Sequence, residues 1–185
     1  GGGVSITAHC QGKMIDSNGI INGEGPMAPT RSGALPAVDL MDLCYSGKWT
    51  RDEMYKRITK SGGFVDHLGT SDAIEVNEMI AKGDKYAKLI YDAFQYQIAK
   101  EIGAMAVVLK GKVDAIVLTG GISHDKGLVA NLTEQVGWIA PIEVRAGEFE
   151  MEALAAGGCR VLAGEEQAKV YTGEKVFTNF DYLKQ

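Results

Sequence analysis

The chain has 185 residues, 45% hydrophobic and 23% charged, which is ordinary globular material for one sizeable core or two small ones. Its formal net charge of -5 argues against a broad basic face for nucleic acid or an anionic membrane, so any bound phosphate must be held by backbone amides, single arginines or a metal. No apolar run approaches the roughly 18 residues of a membrane helix, and no basic-then-apolar leader opens the chain.

The chain opens on Gly1, Gly2 and Gly3 rather than Met and runs straight into a strand pattern, which carries the expectation of a chain cut from a longer one. Val4 to His9 and Lys13 to Asp16 alternate across Cys10-Gln11-Gly12, a pattern that predicts a β-hairpin with a positive φ at the turn glycine. Ser17 to Pro36 is rich in glycine and holds Pro26, Pro29 and Pro36, so a long ordered loop is expected there. Long ordered loops often carry function.

Helices are predicted over Val38 to Tyr45 and Thr50 to Thr59, the second opened by a Thr50-Arg51-Asp52-Glu53 capping box and stopped by Gly62-Gly63. Asp72 to Lys82 and Asp84 to about Lys110 follow with apolar residues at helical spacing. In the second these are Ala87, Ile90, Tyr91, Phe94, Ile98, Ile102, Met105 and Leu109. Val113 to Thr119 is a buried-strand run ending in Gly120-Gly121, then a helix from His124 to Val136 and a strand near Ile142 to Arg145. Strand, glycine turn, helix, strand is an α/β unit. Glu150 to Leu162 reads as a last helix, with Met151, Leu154, Ala155, Cys159 and Leu162 available for packing, before a mixed tail from Lys169 to Gln185.

Cys10, Cys44 and Cys159 are odd in number and far apart, with no CxxC pair and no histidine cluster. They predict free thiols in a reducing, cytoplasmic setting rather than a disulfide or zinc frame.

Four segments could carry chemistry. Three glycines before a strand let backbone approach a phosphate closely, although a flexible terminus has the same composition. In VDAIVLTGGISHD a strand delivers Gly120 and Gly121 to a helix start. Bare backbone there suits a flat ring or a phosphate, and equally an ordinary tight turn. The segment is not GxGxxG, which disfavours a dinucleotide fold. In EGPMAPTRSGALP, Arg31 is the lone arginine of the long loop, flanked by small or rigid residues. Its planar fork suits carboxylate and phosphoryl oxygens, or it is simply a solvated charge. Glu148, Glu150 and Glu152 crowd a helix start, where they favour the dipole or hold Mg²⁺ with its waters.

Taken in order, GGGVSITAH, NGEGPMAPTRSG, DLCYSGKWT, YQIAKEIGAMAVVLKGKVDAIVLTGGI and EMEALAAG resemble the acetokinase family of acetate, propionate and butyrate kinases. The likeness to the butyrate kinases extends over nearly the whole chain. That family's fold sets two ribonuclease-H-like lobes of actin and sugar-kinase type either side of a cleft. The resemblance implies that this chain is the second lobe, an α/β unit with a mixed sheet flanked by helices over 1–149. A C-terminal helix and tail over 150–185 would pack back toward the missing lobe.

The resemblance further implies reversible transfer from ATP to butyrate or a related carboxylate. Gly1, Gly2, Gly3 and Ser5 would line the phosphates, Gly120, Gly121 and Ile122 would hold the adenosine end, and Arg31 would stabilise the phosphoryl group in flight. Asp72 in GTSDA matches a loop that contacts adenosine, although Ile74 stands where an arginine is often found. A glutamate before the last helix would serve Mg²⁺, Glu150 ahead of Glu148. Gly2, Ala34 and Ser123-His124-Asp125 stand where acetate kinases carry Asn, Asp and Gly-Glu-Asn, which favours the butyrate branch. A homodimer is also implied, for which Tyr91, Phe94 and Tyr96 of the long helix offer a face if they are not buried in its own core.

Overall fold

Gln11 and Gly12 both adopt positive φ, 50° and 74°, the two-residue turn whose twist matches that of paired strands. The computed structural model, which describes residues 2–173, places them between β1 (Thr7–Cys10) and β2 (Lys13–Ser17). The hairpin is antiparallel, with Thr7 opposite Ser17 and a bulge between Ala8 and His9. The ladder begins at Thr7 rather than Val4, because the preceding residues are bound by a side chain, as described below.

The glycine- and proline-rich stretch is an ordered loop with one 3-10 turn at Ile20–Asn22. Its middle is buried: Met27 and Ala28 are 6% and 1% exposed. Two helices follow, α1 (Ala37–Tyr45) and α2 (Arg51–Thr59). The capping box opening α2 is complete, since the Glu53 amide donates to Thr50 Oγ1 and the Thr50 amide donates to Glu53 Oε2. The short helix α3 (Phe64–Leu68) has no counterpart among the predicted elements. Five residues are too few to show a 3.6-residue period, and what holds α3 in place is Phe64, fully buried at its start.

Asp72 and Asp84 cap α4 (Ala73–Ala81) and α5 (Lys85–Val108) through their carboxylates. Along α5, Ala87, Ile90, Tyr91, Phe94, Ile98 and Ile102 are buried at the predicted spacing. Ile90, Tyr91, Phe94, Ile98 and Ile102 pack with Phe64, Val76, Leu128, Leu132 and Val136 into one core, each large side chain contributing about 1.5–3 kcal/mol of burial. Tyr91 and Phe94 therefore belong to this core, and of the three aromatics only Tyr96 faces outward. Gln95 is buried among them with both ends of its amide satisfied, by Asn131 and the Tyr91 carbonyl.

The chain then forms β3 (Ile116–Gly120), a 3-10 turn (Gly121–His124), α6 (Lys126–Val136) and β4 (Ile142–Ala146). β3 and β4 pair in parallel through the α6 crossover, with Ile116 opposite Ile142 and Gly120 opposite Ala146. The described residues thus hold an antiparallel and a parallel pair, flanked by helices, in an α/β arrangement. No helix among them is long and apolar enough to cross a membrane.

Contacts divide the chain into two compact units, Gly1–Gly147 and Glu148–Gln185. The second contains α7 (Glu150–Leu162), none of whose residues is buried. The apolar positions expected to pack there are open, with Met151, Leu154 and Leu162 at 76%, 71% and 89% exposure. The end of the predicted tail, 174–185, lies outside the described residues, as does Gly1.

Candidate functional site

The long loop turns sharply at Ala28-Pro29-Thr30-Arg31. The Ala28 amide donates to the Arg31 carbonyl at 3.0 Å and the Arg31 amide returns to the Ala28 carbonyl at 3.3 Å. From this turn Thr30 reaches the start of the chain, its amide and its hydroxyl both donating to the Gly2 carbonyl, at 3.1 and 2.8 Å. The Arg31 side chain lies against Gly3. A Cβ at residue 3 would stand 2.7 Å from Arg31 Cζ and would overlap Nη1. Gly3 thus leaves room for the guanidinium where it lies. Two segments that stand apart in the sequence, Gly2-Gly3 and TRSG, meet here.

Arg31 Nη1 is the only buried side-chain nitrogen or oxygen without a hydrogen-bond partner among the described residues. Burying a charged donor unpaired is costly, so this atom marks a place suited to receive an anion. A guanidinium offers paired donors in a fixed plane, the geometry that matches phosphoryl oxygens.

The turn that presents Arg31 is seated on Gly62-Gly63. The Gly62 amide donates to the Thr30 carbonyl, the Ser32 amide to the Ile58 carbonyl and the Val65 amide to the Pro29 carbonyl, all within 3.0–3.1 Å. A Cβ on Gly62 would lie 2.6 Å from the Ser32 nitrogen, and one on Gly63, whose φ is 59°, would strike the Ala28 carbonyl oxygen. Sequence pattern marks this pair as a helix stop and nothing more. The adjacency of two glycines is the further signal it carries, because a stop needs just one.

Asn18 escapes sequence reasoning altogether. Its side chain is 8% exposed and continues the ladder that β2 has stopped making. Its Oδ1 accepts from the Ile6 amide at 2.6 Å and its Nδ2 donates to the Val4 carbonyl at 3.2 Å. That grip fixes the backbone on both sides of Ser5, which is exposed.

At the other glycine site, β3 ends on Gly120 with φ 81°, a conformation that favours glycine. Gly120 and Gly147 exchange amide-to-carbonyl bonds of 3.1 and 3.2 Å. Gly121 differs, since its φ is not positive and an added Cβ would meet nothing within 4 Å. Neither conformation nor packing among the described residues explains a glycine there, while an outside group lying on the backbone would. Ser5 and Ile122 line the same cavity of about 600 Å³, with Ile6, Ile102, Ile116 and Thr119.

Asp125 closes the turn. Burial alone would raise its carboxyl, but hydrogen bonds from Tyr91, Asn77 and the Leu128 and Gly127 amides outweigh that and hold it below the usual carboxylate range. Burial, together with the Asp125 carboxylate, pushes the Tyr91 phenol well above its ordinary value.

Of the remaining predicted residues, Asp72 spends its carboxylate on the Ile74 amide at 2.8 Å as the cap of α4, and Ile74 is 70% exposed. Glu148 and Glu150 are exposed carboxylates at the start of α7, in the second unit. No group of three potential metal ligands occurs among the described residues. Mg²⁺ is ordinarily held by one or two carboxylates together with waters and substrate phosphates, so these hard oxygen donors fit that ion in kind.

Three solved structures share this architecture. Acetate kinase from Porphyromonas gingivalis matches with a TM-score of 0.78 and 23% identity, over 87% of this chain and 47% of its own. Propionate kinase from Francisella tularensis matches at 0.71 and 26%, over 81% and 45%. Acetate kinase from Entamoeba histolytica matches at 0.72 and 17%, over 84% and 48%. The α/β lobe is therefore of the acetate-kinase type, and the chain spans less than half the length of each of these proteins. The acetokinase family profile matches residues 1–171, and with the glycine segments and the Arg31 turn in place the chain belongs to the acetokinase family.

Proposed function

We propose that the intact protein carrying this chain transfers the terminal phosphoryl group of ATP to butyrate or a related short-chain carboxylate, giving an acyl phosphate and ADP, reversibly. The observation that carries this reading is the buried, unpartnered Nη1 of Arg31 beside Gly3. Arg31 is the catalytic residue. A carboxylate oxygen attacks the terminal phosphorus, the bond to the ADP oxygen breaks, and no proton need move because the carboxylate enters ionised. Charge then spreads over the phosphoryl oxygens, and Arg31 is positioned to neutralise it. Gly2, Gly3 and Ser5 line the phosphate path, and Gly120, Gly121 and Ile122 carry the adenosine end. Glu150, or Glu148, would hold Mg²⁺, which when bound neutralises phosphate charge.

Butyrate, rather than acetate or propionate, is supported by Gly2, Ala34 and Ser123-His124-Asp125, positions at which the acetate kinases carry other residues. We place the protein in the cytoplasm as a homodimer. The compartment is supported by three exposed cysteines without disulfides. The activity belongs to the intact protein, and residues 1–185 alone are expected to be inactive.

The test is hydroxylamine-trapped acyl phosphate from ATP, Mg²⁺ and a panel of acetate, propionate, butyrate and isobutyrate. Product with butyrate or isobutyrate in preference supports the reading. Product from none of them sinks the kinase assignment, and a preference for acetate moves the protein to another branch of its family.

A further inference from the structure

Asp125 makes four side-chain hydrogen bonds, which occupy all the acceptor sites a carboxylate has. Its Oδ1 accepts from the Gly127 and Leu128 amides at 2.8 and 3.2 Å, capping α6. Its Oδ2 accepts from the Tyr91 hydroxyl at 2.6 Å and from Asn77 Nδ2 at 2.8 Å. Asp125 is therefore saturated as a strut and has no lone pair left for a metal or a substrate proton. Its own amide donates to the Ile122 carbonyl at 3.1 Å, so whatever holds Asp125 also holds the turn before it.

Two different helices supply the Oδ2 partners, Asn77 from α4 and Tyr91 from α5. Tyr91 is 4% exposed, and its ring lies 5.9 Å from that of Phe64, which meets Phe94 edge-on at 4.9 Å. Phe64 directly follows the Gly62-Gly63 seat of the Arg31 turn. A single aromatic group thus stands between the Arg31 turn and the Gly120–Ile122 turn, with the Tyr91 hydroxyl as its polar end on the second.

We propose that Tyr91 and Asn77 are positioning residues for the nucleotide, acting through Asp125 to set the Gly120–Ile122 turn. They touch no substrate themselves. The inference rests on the nucleotide reading of that turn. Tyr91→Phe keeps the ring and its contact with Phe64 while removing the hydroxyl, and Asn77→Ala removes one donor from a partly exposed helix position.

Steady-state kinetics of the intact protein are to be measured with ATP and carboxylate varied separately, below the melting temperature of each variant. Loss of a hydrogen bond to a charged group predicts a rise of about tenfold in KM for ATP. KM for the carboxylate and kcat should change less than about twofold. A lowered Tm with both KM values unchanged overturns the proposal in favour of a purely structural strut. Equal rises in both KM values overturn it too, because they mean general loosening. A wild-type protein that neither binds nor consumes ATP removes the nucleotide reading itself, and the inference falls with it.

Discussion

The Arg31 guanidinium fills the space that a side chain on residue 3 would need, so a Cβ there would displace the guanidinium from its present position. The contact ties the chain's opening segment to a turn 28 residues later, and Thr30 reinforces it from the neighbouring position through two bonds to Gly2. Gly3→Ala is expected to push Arg31 off its position without touching the core. Turnover of the intact protein should fall by about 10²-fold or more, in the range of removing one oxyanion donor, while Tm shifts little. An alanine variant with wild-type kcat would show that the placement of Arg31 is not required.

Arg31→Ala removes the unpartnered donor itself. The expected result is a loss of about 10²–10³-fold in kcat with ATP affinity changed only a few-fold. Retained turnover in a folded Arg31→Ala protein would refute the role assigned to it.

Gly63→Ala acts on the seat rather than on the guanidinium. A Cβ there strikes the Ala28 carbonyl from a backbone at φ 59°, so the strain is conformational and steric at once. A destabilisation of about 1–3 kcal/mol or more is expected in denaturant unfolding. Gly47→Ala is the comparison, since Gly47 also has positive φ, 71°, but an added Cβ would meet nothing. The Gly63 variant should be the less stable of the two.

Asn18→Ala leaves the Ile6 amide and the Val4 carbonyl without their present partners. Their loss should cost about 1–3 kcal/mol, read as a lowered midpoint of chemical unfolding. Asn18→Asp restores the acceptor for Ile6 but not the donor to Val4, and its stability should fall between the wild type and the alanine variant.

Acid should weaken the fold partly through Asp125. Its folded value is depressed, so its contribution is present above the unfolded carboxylate value of about 3.9 and is lost as pH falls through the lower folded value. Tyr91 has the opposite sign. Its phenol is raised, so that contribution holds below about 10 and is lost as pH climbs beyond it. Asp125→Asn should therefore flatten the acid limb of a plot of unfolding free energy against pH. An acid limb unchanged by that substitution would place the sensitivity elsewhere, for example at Glu53, which the Thr50 backbone and side-chain bonds also depress.

Local pattern accounts for most of the elements. The capping box at Thr50 and Glu53, the Gln11-Gly12 turn and the apolar spacing of α5 are all decided within a few residues, by hydrogen-bond geometry and by the periodicity of burial. The same is true of the β3, glycine turn, α6, β4 unit. The fold class and both glycine segments are therefore legible in the order of residues alone. α3 is not, because its one decisive residue, Phe64, is helical only where the core receives it.

The site divides in the same way. Residue types alone nominate Gly3, Arg31, Gly120 and Gly121, because bare backbone and a lone guanidinium are chemically conspicuous. Their assembly is settled only by tertiary structure. Contact between residues 3 and 31, the seat at Gly62-Gly63, the Asn18 grip on Val4 and Ile6, and the Asp125 strut with Tyr91 and Asn77 all join positions separated by 12 to 48 residues. No local period or motif encodes such a pairing. The hydrogen-bonded ones exist because a buried polar group must find a partner, and the folded chain determines which one is within reach.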